Sequence, residues 1–120
     1  MSNEKENIIV DKSKAFAIRV IRLYQFLTTE KKEYVMSKQL LRSGTSIGAN
    51  VRESIYGQSK PDFHTKMTIA LKEAAETEYW LELLYETNYL TLEQFNSMTA
   101  DCKEILKILI AITKATKQTK

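Results

Sequence analysis

Glu53, Glu73, Glu76 and Glu78 are the side chains here whose type and spacing come nearest to catalysis or metal binding. Glutamates facing one another across helices can build a di-iron centre inside a four-helix bundle. Such a centre also needs a Glu-x-x-His pair on each of two helices. The chain has one histidine, His64, with Pro61 three residues before it and Met67 three after, and neither completes that pattern. The single cysteine, Cys102, excludes an internal disulfide and a CxxC metal site. It falls on an apolar stripe and reads as an inert small hydrophobe. No catalytic group, metal or cofactor is expected, and the chain is read as a non-enzyme. The carboxylates are assigned instead to a polar network of Ser46, Asn50, Glu53 and Glu73, buried or at an interface, with Arg42 or Arg52 as counter-charge.

The segment LRSGTSIGANVRES, residues 41–54, raises a second chemistry, because backbone N–H groups of glycine-rich turns bind anions. Neither G-x-x-x-x-G-K-[ST] nor G-x-G-x-x-G is present and no strand precedes the segment, so its spacing does not support a phosphate loop. A helix broken near Gly44 is a second reading. The third is a close-packed helix, and the periodicity favours it. Met36, Leu40, Gly44, Ile47, Val51 and Ile55 recur at spacings of three and four, with Ser43, Ser46, Asn50 and Glu53 beside them. Small residues on such a face let a neighbouring backbone come close.

Charge carries the remaining functional signal. With 18 Lys and Arg against 15 Asp and Glu the net charge is only +3, but it is unevenly spread. Lys12, Lys14, Arg19 and Arg22 occur with no acidic residue between Lys12 and Thr29, and Lys38, Arg42 and Arg52 with none between Tyr34 and Arg52. The segment after residue 60 is the reverse, with Asp62, Glu73, Glu76, Glu78, Glu82 and Glu86 against Lys66 and Lys72. Lys12, Lys14, Arg19, Arg22, Lys38 and Arg42 are the candidate contacts to nucleic-acid phosphate. The alternative is that they pair with the acidic helix, within or between subunits, and are otherwise solvated. No zinc finger and no RNP-type aromatic signature is present.

These side chains must be positioned by helices. At 120 residues, with one proline and three glycines, the chain suits one domain with little turn chemistry for strands. Residues 1–10 are read as a flexible arm, and residues 11–117 as the domain. Asp11 or Ser13 would cap a first helix carrying Phe16, Val20, Leu23, Tyr24 and Leu27, widened by Ala17 and Ile21. A second helix runs from about Tyr34 to Tyr56 and stops at Gly57. A third, capped by Ser59 with Pro61 in its first turn, carries Phe63, Met67, Ala70, Ala74, Thr77, Leu81 and Leu84 and ends near Asn88. Thr91 and Gln94 form a capping box for a fourth, with Phe95, Met98, Cys102, Ile105, Leu109 and Ile112 inward. The fold expected is all-α, an antiparallel up-down four-helix bundle. The charged N-terminus is no signal peptide and no apolar run is long enough to span a membrane, so a cytoplasmic protein without membrane association is expected.

The third helix bears a second stripe, Ile69, Glu73, Glu76, Trp80 and Leu83, at spacings of four, three, four and three. A monomer has no need of it, so it is assigned to a subunit interface.

The strings SGTSIGANVRES and SKPDFHTKMTIALKEAAETEYWLELL resemble the four-helix-bundle family of 23S rRNA intervening-sequence proteins. Ser46, Ile47, Asn50, Val51 and Glu53 match its first motif. Ser59, Asp62, Phe63, Ala70, Glu73, Glu76, Trp80 and Leu81 match its second. The resemblance spans nearly the whole chain and implies a bundle assembling into a ring-like homopentamer. It also implies a fold similar to the accessory variability determinant of diversity-generating retroelements, which partners a reverse transcriptase and has a basic surface. Two functions remain open: an oligomeric accessory binding structured RNA or other nucleic acid (RNA or DNA), or a structural module docking a protein partner.

Overall fold

Four helices account for most of the chain: α1 (Glu4–Thr29), α2 (Met36–Ile55), α3 (Lys60–Glu86) and α4 (Leu92–Thr116). The computed structural model describes residues 4–57 and 59–117, with side chains described from Ile8 onward. Each helix packs on its neighbours in cyclic order, α1 on α2, α2 on α3, α3 on α4 and α4 back on α1. Cross-helix contacts give the directions. Val20 and Ser13 of α1 meet Gly44 and Gly48 of α2. Arg42 and Glu53 of α2 reach Glu73 and Lys66 of α3. His64 and Tyr85 of α3 meet Thr116 and Phe95 of α4, and Lys12 and Arg19 of α1 meet Glu104 and Asp101 of α4. In every pair the numbers rise on one helix as they fall on the other, so the bundle is antiparallel and up-down.

The core follows the three-four spacing. Phe16, Val20 and Leu27, Leu40, Ile47 and Val51, Met67, Leu81 and Leu84, and Ile105 and Leu109 are fully buried along the bundle axis. The ends of the stripes drift, because 3.6 residues per turn does not keep a fixed face over five turns. Ile55 is exposed at 43% and Ile21 at 40%, whereas Ser37 and Ser54 hold buried positions on α2 and bond to backbone carbonyls. Residues 41–54 are unbroken helix, as close packing requires.

The helix ends are set by local chemistry. Ser59 Oγ accepts from Asp62 N at 3.2 Å, and Thr91 and Gln94 complete both halves of the capping box. Past Glu86, Asn88 takes a left-handed φ of 72°, its N–H donates to Tyr85 O and the Tyr89 N–H donates to Leu84 O. This paired closure satisfies carbonyls that a helix end leaves without partners.

The first helix differs from expectation. It begins at Glu4, so residues 4–10 are helix rather than arm, while residues 1–3 lie outside the described residues. Ile9 is fully buried, and its burial supplies a tertiary reason for α1 to extend over this charged segment. Asp11 and Ser13 are therefore interior to α1 and cap nothing; the Ser13 hydroxyl donates to Val10 O.

The start of α2 depends on Glu33, which lies in the turn between α1 and α2. Its carboxylate accepts from the backbone N–H groups of Val35, Met36 and Ser37 at 3.1, 2.9 and 2.7 Å, and it is only 7% exposed. Burial alone would raise its pKa; the three N–H donors outweigh that and hold it below the usual carboxylate value. A negative charge there also favours the positive end of the α2 dipole.

Candidate functional site

The six basic candidates divide by position. Lys12 Nζ lies 3.1 Å from Glu104 Oε1. Arg19 donates to Asp101 Oδ2 at 2.6 Å and to the carbonyl and hydroxyl of Ser97. Arg42 bridges two carboxylates of α3, Glu73 at 3.2 Å and Glu76. Lys14, Arg22 and Lys38 have no carboxylate at ion-pair distance among the described residues, and neither does Arg52. The paired cations thus lie at the α1–α4 and α2–α3 seams. Pairing with acidic α3 holds for Arg42, but the partners of Lys12 and Arg19 are on α4.

At the α2–α3 seam, Glu76 also accepts the Trp80 indole N–H at 2.9 Å. That bond, followed by the one from Arg42, lowers the Glu76 pKa, and the hydrogen bond to Glu76 raises that of Arg42. Ile69, Glu73, Glu76, Trp80 and Leu83 are all half-buried along α3. The Trp80 ring meets Tyr79 edge to face, 5.4 Å between centroids.

The polar network expected from Ser46, Asn50, Glu53 and Glu73 is not one network. Asn50 Nδ2 donates to the Ser46 carbonyl at 2.9 Å, and the Ser46 hydroxyl donates to Arg42 O. Glu53 turns to Lys66 at 2.9 Å, while Glu73 is held by Arg42. Residues four apart on α2 satisfy their own helix, and the carboxylates find cations instead. Deeper in the same seam the hydroxyls of Ser43 and Thr77, both fully buried, meet at 2.9 Å.

Between α1 and α2 runs a groove of about 390 Å³ lined by Ser13, Lys14, Ala17, Gly48, Ala49 and Arg52, with Val10 and Glu53 at its edges. A wider one of about 540 Å³ lies between α1 and α4, where Arg19 and Arg22 face Glu93, Gln94 and Ser97 over Leu23, Phe26 and Met98. Arg52, absent from the six candidates, was visible in the sequence as the last cation of an acid-free run. Its place in the same groove as Lys14 was not.

Cys102 and His64 are both held in contacts between α3 and α4. Cys102 is buried on the α3–α4 contact with Sγ 3.4 Å from Ala74 O, and burial, helped by Glu78 and Asp101, pushes its thiol up to about 12. His64 Nδ1 meets the Thr116 hydroxyl at 2.8 Å, tying the start of α3 to the end of α4. Among the described residues no three His, Cys, Asp or Glu side chains are grouped so as to hold a metal ion, and no helix is long and apolar enough to cross a membrane.

Comparison with known proteins agrees with this architecture. No curated protein matches the chain. A crystal structure of a protein with unknown function from the S23 ribosomal protein family of Bacteroides thetaiotaomicron superposes with a TM-score of 0.90. It is 60% identical, and the match covers 92% of this chain and 98% of that one. The family model described as 23S rRNA-intervening sequence protein matches residues 5–111. With four antiparallel helices and a match over nearly all of its length, the chain belongs to the family of 23S rRNA-intervening sequence proteins.

Proposed function

We propose that this protein is a non-catalytic, self-associating helical bundle that binds structured RNA through the basic surface of α1 and α2. The observation that carries the reading is the separation of its cations. Lys12, Arg19 and Arg42 are neutralised at the flanking seams, whereas Lys14, Arg22, Lys38 and Arg52 have no carboxylate partner among the described residues. Unpaired cations on a surface attract phosphate and release its counterions on binding. Assembly would repeat the patch once per subunit and strengthen its field.

The assembly proposed is a closed homo-oligomeric ring, a homopentamer by family resemblance, with Ile69, Glu73, Glu76, Trp80 and Leu83 at the contact. Half-buried Trp80 and Leu83 on the outside of a folded monomer support this, since aromatic residues are favoured at interface cores. Trp80→Ala with Leu83→Ala should shift the mass to monomer and leave the helical signal. An unchanged mass would remove the stripe from the interface.

The direct test of function is titration of nuclease-treated protein into a labelled structured RNA at several salt concentrations. Saturable binding whose affinity falls steeply with salt is expected; weak, non-saturating binding would overturn the reading. A protein-docking role is the second reading. It is favoured by exposed Tyr34 (58%), Val35 (75%) and Leu92 (56%), which the up-down topology places at one end of the bundle.

A further inference from the structure

We infer that the groove between α1 and α2 is a phosphate site, seating one backbone phosphate of the bound RNA between Lys14 and Arg52. This rests on the RNA-binding reading above and adds to it a place and a ligand group. Lys14 comes from α1 and Arg52 from α2, and both line the same groove of about 390 Å³. Its floor is low because the helices nearly touch there. Ala17, Gly48 and Ala49 line it, and a Cβ at Gly48 would stand only 3.4 Å from the Ser13 carbonyl and hydroxyl oxygens. Lys14 and Arg52 line the groove from two different helices, so an anion seated in it is attracted by both charges.

One carboxylate shares the groove, and its charge is already engaged. Glu53 Oε1 is 2.9 Å from Lys66 Nζ on α3. Neither Lys14 nor Arg52 has a carboxylate partner among the described residues. The pair also suits the ligand group: a guanidinium offers two parallel N–H donors to phosphate oxygens, and an ammonium adds a point charge. An open groove leaves a small ion half hydrated, whereas a nucleic-acid strand brings further phosphates to the neighbouring cations. That favours the polymer over free phosphate as the occupant.

Two kinds of variant of the full-length protein test the site, each checked first for an unchanged helical signal and melting temperature. Lys14→Gln with Arg52→Gln removes the charge. Ala49→Leu, at an exposed position, fills the groove and keeps every charge. With a labelled RNA hairpin, the charge variant should make the log–log salt dependence shallower by about 1, the counterion release of one phosphate contact. Ala49→Leu should weaken binding several-fold. Lys12→Gln with Glu104→Gln, which removes an ion pair outside the groove and leaves the net charge unchanged, serves as the control and should change neither. Saturable, salt-dependent binding by the parent that survives both groove variants would sink the groove site and leave the RNA reading standing. Absence of saturable binding by the parent would sink both. Binding of inorganic phosphate that the charge variant abolishes, with RNA affinity retained, would make the groove a small-ion site and overturn the inference.

Discussion

Gly44 of α2 faces Val20 of α1 so closely that a Cβ added at Gly44 would lie 2.8 Å from both Val20 methyl carbons. Val20 is fully buried and β-branched, so it has little freedom to turn away. Gly44→Ala gains about 1 kcal/mol of helix propensity, but overpacking a tight core costs about 1–3 kcal/mol. A net loss of stability is expected, recovered in part by adding Val20→Ala. Gly48 is the contrast, since its added Cβ would make only ordinary contact with Ser13. Gly48→Ala should be neutral or stabilising by up to about 1 kcal/mol. Denaturant melts should show Gly44→Ala less stable than the parent and Gly48→Ala no less stable, and a comparable loss in both would contradict the packing described.

Glu33 should matter more to stability than its place in a polar turn suggests. Glu33→Ala leaves three N–H groups at the start of α2 without their acceptor and should cost about 1–2 kcal/mol. Because the folded-state pKa lies below the unfolded one, the contribution of the charge is complete above the usual carboxylate range. It is lost as pH falls through the lowered folded value. The stability gap between the parent and Glu33→Gln should therefore be widest near neutrality and narrow in acid. A gap that widens in acid would contradict this role.

Trp80 reports on Glu76 through their direct hydrogen bond. Its fluorescence should change as pH falls below the usual carboxylate range, because the Trp80 N–H and Arg42 both stabilise the ionised carboxylate. Glu76→Gln should abolish that transition. Persistence of the same transition in the variant would assign it to another group.

Cys102 should be unreactive in the folded protein. With its thiol raised to about 12 by burial, a thiol reagent at pH 8 should label it only as the protein unfolds. Labelling that rises with denaturant in step with loss of the helical signal is expected. Fast labelling of the native state would mean that the α3–α4 contact opens on its own.

Much of the fold was legible because its signals are local. The Thr91–Gln94 box, the Ser59 cap and the stop near Asn88 each depend on residues within a few positions of one another. The stripes that include Phe16, Met67 and Leu109 follow from period alone. Local reasoning failed at the start of α1, where the charged residues around Ile9 read as an arm until its burial in the bundle came into view. It also failed at Glu33, because a carboxylate reaching forward to three N–H groups falls outside the usual capping pattern.

The sequence by itself determined that this chain makes four amphipathic helices, with their caps, their inward faces and a family resemblance. Helix propensity, capping and hydrophobic period act between near neighbours and can be read along a line. Only the tertiary structure decided which cations keep their charge available. Lys12 and Arg19 find their carboxylates 92 and 82 residues away, Arg42 finds Glu73 31 residues away, and Lys14 and Arg52 come to share a groove across two helices. Coulomb interaction depends on separation in space, and that separation exists only once the helices have packed.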